Sequence, residues 1–140
     1  MTYAISWSLQ QGIYAMVCND PDCASSLGNR VFDAAPLQAE GGIPDEVYMT
    51  FGDEEVQDWS SGSTNGAIHT ISISVHAPRH GFSDAKQAAA AISDAILSGA
   101  IPLARGAVVN VRFVDARTVR QEADAFRRID LRFRITVQDI

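Results

Sequence analysis

The chain of 140 residues carries a formal net charge of −6, and its composition, 46% hydrophobic and 20% charged, is typical of a folded globular protein. Its length predicts one domain, residues 1–140. The negative charge disfavours a dedicated nucleic-acid binder, because affinity for phosphates depends on cationic side chains. The chain has no run of about 20 apolar residues and no basic, apolar N-terminus, so we expect no membrane-spanning helix and no secretory signal.

The first third of the chain predicts one helix and one short strand. Residues 2–19 carry apolar side chains at spacings of three and four, which is typical of a helix packed on one face. The end of this helix is predicted at residues 20–22, with a loop or short turn at 23–29, a strand at 30–33 and a surface loop at 34–44. The apolar stripe consists of Ile5, Leu9, Gly12, Ile13 and Met16.

The two cysteines of the chain are Cys18 and Cys23. Their spacing would allow a small disulfide. Because no export signal is visible, a pair of reduced thiols is the favoured interpretation.

The middle of the chain predicts two strands joined by a hairpin loop. In the strand at residues 46–52 alternate side chains are apolar, and the pattern allows an extension to Trp59. The strand at residues 67–77 alternates apolar side chains with hydroxyl and histidine side chains, so one of its faces is apolar. The loop between them is small and polar, which predicts mobility and a contact with partner proteins. This candidate loop is Ser60, Ser61, Gly62, Ser63, Thr64, Asn65 and Gly66.

A helix and a second hairpin complete the predicted fold. Ser83 is the predicted N-cap of a helix with an alanine-rich stripe, and Gly99 ends it. Residues 109–114 alternate, and after a turn between residues 120 and 125 the alternation is unbroken over residues 128–137. We predict an α+β single domain, a twisted, mainly antiparallel β-sheet packed by two α-helices in the order α-β-β-β-α-β-β.

Residues with metal-binding or catalytic chemistry form no recognisable motif. His76 and His80 are four residues apart, but Pro78 prevents a helix there, so two surface histidines at a strand end are the favoured interpretation. No phosphate-binding glycine loop and no nucleophile elbow occurs. The carboxylates of residues 53–58 lack the pattern of a calcium loop and are typical of a solvated acidic hairpin. We therefore expect no catalytic residue, no metal and no cofactor.

The distribution of charge along the chain suggests an interface between subunits. Carboxylates gather between residues 45 and 58, whereas six arginines lie between residues 117 and 134. The alternation of the last strand places its arginines opposite its apolar side chains. Two interpretations stay open. The arginines belong to a solvated sheet face, or their guanidinium groups pair with carboxylates of another copy of the chain, so that copies associate head to tail in a ring. The candidate interface residues are Arg112, Arg128, Arg132, Arg134, Asp53, Glu54, Glu55 and Asp58.

The order of these segments resembles a known family over nearly the whole chain. It runs from the amphipathic first helix through LGNRVFD at residues 27–33, a proline- and glycine-rich loop, and VYMTFG at residues 47–52. The hydroxyl-rich strand ending in VHA, the alanine-rich helix and a closing hairpin follow. This pattern is similar to the tail-terminator or tail-completion (head–tail joining) proteins of long-tailed phages, particularly the version found in phage-derived gene transfer agents.

The resemblance implies a non-enzymatic structural protein of a virion or phage-like particle, assembled in the bacterial cytoplasm and located at the head-proximal end of the tail. Such proteins form a six-subunit ring that caps the tail tube, ends its polymerisation and joins the tail to the head connector. The implied partners are other copies of the chain in a homohexamer, the tail tube protein and the connector or stopper protein. DNA would pass through the ring without specific binding, and no membrane is implied.

Two other classes of function stay open. A small metal-dependent hydrolase or nuclease would use the acidic cluster of residues 53–58 and would bind a divalent metal. A monomeric ligand-binding domain would need a large apolar pocket, which an alanine-faced helix packed closely on a sheet disfavours.

Overall fold

The computed structural model of the protein describes residues 3–33, 46–77, 82–121 and 126–139. The predicted loop at residues 34–44, residues 122–125 of the turn predicted between residues 120 and 125, and His80 lie outside these ranges. The described helices are α1 (Ser6–Asn19), α2 (Pro21–Leu27) and α3 (Phe82–Leu97). The described strands are β1 (Val31–Phe32), β2 (Tyr48–Asp58), β3 (Asn65–Ala77), β4 (Ala107–Gln121) and β5 (Phe126–Asp139).

The strands form one sheet in the order β1-β2-β3-β5-β4. The pairs β2–β3, β3–β5 and β5–β4 are antiparallel, and β1 pairs with β2 in parallel through two residues only. The predicted fold class is confirmed, with a mixed rather than purely antiparallel sheet and one helix more than expected.

The core lies between one face of the sheet and the helices. Side chains of β3 and β5 alternate between buried and accessible along most of their length, so the predicted two-residue periods are confirmed. Phe133, at the middle of β5, is fully buried. The alanine-rich side of α3 is buried as predicted, and small side chains allow this helix to approach the sheet closely. The buried residues of α3 are Ala85, Ala88, Ala89, Ile92, Ala95 and Ile96.

The segment predicted as a loop after the first helix is helix α2. Asp20 is its N-cap, since the backbone N–H of Cys23 donates to Asp20 Oδ2 at 3.0 Å, and Pro21 occupies the first turn. Gly28 ends the helix with a φ of 58°, a conformation that favours glycine. The loop prediction was wrong because an Asp-Pro pair can begin a helix as readily as it ends one.

Two predicted helix boundaries also differ from the structure. Helix α1 begins at Ser6 rather than at residue 2, after a turn in which the Ser6 N–H donates to the Tyr3 carbonyl. Helix α3 begins at Phe82, so Ser83 lies in its first turn and not at the N-cap. Both differences leave the predicted packing faces unchanged.

Bulges interrupt the alternation of strands β2 and β4. In β2 the register shifts between Phe51 and Glu54, and in β4 it shifts at Val109 and again after Phe113. A bulge adds one residue to a strand and moves the following side chains to the opposite face. Val109 was predicted on the same face as Phe113, but it is the extra residue of the first β4 bulge and is 48% exposed.

Candidate subunit interface

The sheet face opposite the helices, here called the open face, carries most of the predicted interface. It is lined by charged and hydroxyl side chains from β2, β3, β5 and β4, because these strands alternate and their apolar side chains point to the helices. The predicted exposure of Arg132 and Arg134 on this face is confirmed, and cross-strand pairing with Arg134 places Arg112 there too. The open face includes Glu55, Thr70, Ser72, Ser74, Arg112, Asp115, Arg117, Arg128, Asp130, Arg132 and Arg134.

One row of cross-strand neighbours runs across all four strands of the open face. It consists of Glu55 on β2, Thr70 on β3, Arg134 on β5 and Arg112 on β4. The row begins with a carboxylate at one side of the sheet and ends with two adjacent guanidinium groups at the other. Directly opposed like charges on neighbouring strands destabilise a sheet. The adjacent Arg112 and Arg134 therefore place two like charges side by side at one end of this row.

Two of the predicted interface arginines already have partners within the subunit. Arg132 binds Asp115 through two hydrogen bonds, of which Nε to Oδ1 measures 2.9 Å, and Arg128 Nε lies 2.9 Å from Asp130 Oδ1. The hydrogen bond from Arg132 holds the pKa of Asp115 below its usual value. The Ser74 hydroxyl donates a further hydrogen bond to Asp130 at 2.7 Å.

Other charged groups of the open face have no ion-pair partner among the described residues. They are Asp53 and Glu55 on β2, Arg112 and Arg117 on β4, and Arg134 on β5. The free carboxylates belong to one side of the sheet and most of the free guanidinium groups to the other. A polar depression of about 620 Å³ on this face is bordered by Asp53, Ser72, Arg117 and Arg132. Its charged lining is unlike the apolar pocket that a ligand-binding domain requires.

Glu54 faces the helices rather than the open face. The β2 bulge turns it to the core side, where it pairs across the sheet with Ile71 and its side chain is only 20% exposed. The Ser6 hydroxyl donates to Glu54 Oε1, and His69 Nδ1 lies 3.3 Å from Oε2. Burial raises the pKa of Glu54, but the hydrogen bonds from His69 and Ser6 outweigh it and lower the pKa overall. Glu54 thus ties the start of α1 to β2.

The predicted partner-contact loop is a tight hairpin. The Ser61 N–H donates to the Thr64 carbonyl at 2.8 Å, and the Ser60 hydroxyl donates to Asp58 Oδ1 at 2.6 Å. Asn65 and Gly66, predicted in the loop, are the first residues of β3, and Gly66 is buried beneath Trp59. The loop is shorter than predicted because these two residues pair with β5. Its mobility in the free subunit stays a prediction.

The sequence did not identify the exposed aromatic side chains on α1 and just before it. Tyr3, Trp7 and Tyr14 are 64%, 63% and 45% exposed. Tyr3 precedes α1, and a spacing of seven residues places Trp7 and Tyr14 on one side of the helix, opposite the buried stripe. The same spacing rule that identified the buried stripe could have identified this second one.

His69 and His76 pack against neighbouring side chains within the fold. His69 is fully buried beside Glu54. His76, predicted at the surface, is half-buried, stacks on Tyr48 with ring centroids 4.5 Å apart and shares a hydrogen bond of 2.9 Å with Thr50. Burial, with a further contribution from Arg128, lowers the pKa of His76. Within the described ranges, no group of three or more His, Cys, Asp or Glu side chains could hold a metal ion.

Both cysteines are free thiols. Cys18 is partly accessible, whereas Cys23 is buried at the start of α2. Burial and a hydrogen bond with Asp20 raise the pKa of Cys23 to about 12.

Comparison with known proteins identifies the family. The model of the family described as tail completion protein gp17 matches residues 11–138. The chain belongs to the tail completion protein gp17 family. It is also similar, at 38% identity and a TM-score of 0.86, to a chain in a solved structure of the virion of a native gene transfer agent particle. The alignment covers 98% of this chain and 99% of that chain. Curated proteins give no match.

Membership of the tail completion family confirms the resemblance found in the sequence. The protein is a structural tail-completion component of a phage-like particle, located in its tail. The alternative of a metal-dependent hydrolase depended on the acidic cluster at residues 53–58, and β2 directs Glu54 and Glu55 of that cluster to opposite faces. None of the helices in the described ranges is long and apolar enough to cross a membrane.

Proposed function

We propose that this tail completion protein forms a closed ring that caps the finished tail tube, ends its polymerisation and joins the tail to the head connector. The supporting observation is the position of the unpaired charges on the open face. Asp53 and Glu55 lie at one side of the sheet, and Arg112 and Arg117 at the other. Surfaces of opposite charge at opposite sides of a subunit suit head-to-tail association, which closes into a ring when the rotation between subunits allows.

The ring interface uses a smaller set of residues than the sequence predicted. Arg128 and Arg132 are occupied within the subunit, and Glu54 supports α1. Asp58 accepts a hydrogen bond from the Ser60 hydroxyl within the subunit. The charges left for another copy are Arg112 and Arg134 together with the carboxylates Asp53 and Glu55, and Arg117 joins them. The ring contains six copies, the number that the family resemblance implies.

The contacts above and below the ring involve the end of the subunit at the hairpin after β2. The hairpin after β2 presents Trp59, which is 46% exposed, next to Val109 and the polar residues Ser60 to Thr64. An exposed aromatic side chain with a polar rim is typical of a protein–protein contact. We assign this end of the subunit to a partner in the particle, either the tail tube protein or the connector. The exposed aromatic stripe of α1 is a second candidate.

Termination requires that one side of the ring matches the tube and the other does not. Like charges that face each other disfavour the addition of a further tube ring, so a modest redistribution of charge suffices to end growth. The net charge of −6 also suits a wall beside moving DNA, because a strongly basic wall would retain the polyanion. In this role the protein needs no catalytic residue, metal or cofactor.

The proposal is tested by adding the purified protein to tail tubes that are elongating in vitro. We expect tube growth to stop and electron microscopy to show a ring at the growing end. Arg112→Glu, which places a carboxylate where the ring needs a guanidinium group, should cap fewer tubes at the same protein concentration. Unchanged tube growth in a large excess of the folded wild-type protein would contradict the proposal.

A further inference from the structure

We propose that neighbouring copies continue one β-sheet around the ring, with β4 of one copy paired with β2 of the next. This inference rests on the proposed ring and specifies how it is held together. The occupant of the β4 edge is a second copy of this chain. Three features of the sheet favour this pairing: its two open strand edges, the direction of its strands and the charges at the ends of the cross-strand row.

Both sides of the sheet have strand edges without a strand partner among the described residues. β4 is the last strand of the sheet, and β1 pairs with β2 only at Met49 and Thr50, so among the described strands the edge of β2 from Phe51 to Gln57 has no strand partner on that side. An unpaired edge presents backbone N–H and C=O groups to another chain. Phe113, on β4, is also 47% exposed. An exposed edge with apolar side chains promotes association unless something covers it.

The strand directions suit a head-to-tail ring. Three successive antiparallel pairs separate β2 from β4, so these two edge strands run in opposite directions. Rotation about the axis of a ring preserves strand direction relative to that axis. A copy added beside β4 therefore presents its β2 antiparallel to β4 and keeps its open face on the same side.

Bulges in both edge strands limit the length of the shared ladder. The uninterrupted segments nearest to the free charges are residues 54–58 of β2 and residues 110–113 of β4. These segments contain Glu55 and Arg112, which occupy the two ends of one cross-strand row. A second copy would place its Glu55 beside the adjacent Arg112 and Arg134 and so relieve the repulsion between like charges. This complementarity favours a copy of the chain over an unrelated strand.

The test is disulfide cross-linking in assembled particles. Glu55→Cys is combined in turn with Asn110→Cys, Arg112→Cys or Arg117→Cys, because these three positions sample different registers. Within one subunit, positions 55 and 112 are three strand spacings apart, roughly 14 Å. A disulfide requires Cα atoms within about 7 Å, so any bond between these positions joins two copies.

We expect mild oxidation of particles with normal tails to give a ladder of covalent oligomers up to the size of the ring for at least one pair. The matched control combines Glu55→Cys with Gln87→Cys, on the exposed side of α3, and should give no such ladder. If all three pairs support normal tails but give only the products of the control, sheet continuation is wrong while the ring proposal stands. Overlong tails in the three edge variants but not in the control would support contact at these edges.

Hydrogen exchange distinguishes backbone pairing from contact between side chains alone. In assembled particles, alternate backbone amides of residues 54–58 and 110–113 should exchange at least tenfold more slowly than in the free subunit, because alternate residues of an edge strand donate to its neighbour. Cross-links without this alternate protection would refute the shared ladder. Uniform protection would indicate coverage by another surface and would also refute it.

Discussion

Replacement of Phe133 by alanine tests the packing of the sheet against the helices. Phe133 is fully buried at the middle of β5, and its ring contacts that of Phe113 edge to face, with centroids 5.9 Å apart. Removal of a buried phenylalanine costs about 3–5 kcal/mol, through lost burial and the cavity that remains. Since domains of this kind unfold with about 5–15 kcal/mol, Phe133→Ala should leave a marginally stable protein.

The assay is urea unfolding, with Arg132→Ala as the matched control. Arg132 is the preceding residue on β5, but its side chain lies on the open face, where the ion pair with Asp115 is exposed to solvent. An exposed pair contributes little to stability, so this variant should unfold close to the wild-type midpoint. A double-mutant cycle with Phe113→Ala should give a coupling of about 0.5–1.5 kcal/mol for the ring contact. Equal losses of stability in Phe133→Ala and Arg132→Ala would refute the assignment of their faces.

Three further predictions concern the interior of the subunit. The pKa of Glu54 is lowered in the folded state, so ionised Glu54 stabilises the fold above the unfolded pKa of about 4.3, and this stabilisation is lost as the pH falls through the folded pKa. Glu54→Gln should therefore flatten the dependence of the unfolding free energy on pH in this acidic range. Urea titrations from pH 3 to 7 measure this dependence. In the native protein an aromatic disulfide reagent should modify Cys18 well before Cys23, whose pKa is raised to about 12, and equal rates would contradict the burial of Cys23. Gly12→Ala should destabilise the protein by about 1–3 kcal/mol in thermal unfolding despite a gain in helix propensity of about 1 kcal/mol, because the new Cβ would clash with the backbone carbonyl oxygen of Pro102.

Long regular patterns made most of the fold predictable from the sequence. The strict alternation of β5 and the alanine stripe of α3 are properties of the elements themselves, because one face of each must be apolar to form the core. Helix α2 was missed because it is seven residues long, too short for a periodic pattern, and its Asp20-Pro21 start was taken for the end of α1. Short helices are identified by their caps, and those signals are ambiguous where one helix follows another.

The sequence predicts which charges the candidate interface carries, but not where those charges lie on the sheet. The sequence shows carboxylates in one region and arginines in another, yet only the order β2-β3-β5-β4 shows that Glu55 and Arg112 end the same cross-strand row. The bulge that turns Glu54 toward α1 has no signature in a two-residue period, because one inserted residue reverses the face of every residue after it. The ion pairs that occupy Arg128 and Arg132 are likewise a consequence of strand register.

Tail length in particles produced without this protein tests the central claim most directly. A protein that caps the tail tube limits its growth and provides the surface on which the head connector docks. We therefore predict that cells lacking the protein produce tails longer than normal and without heads, as seen by electron microscopy, and that the wild-type protein supplied separately restores their length. Tails of normal length joined to heads in the absence of the protein would contradict the account.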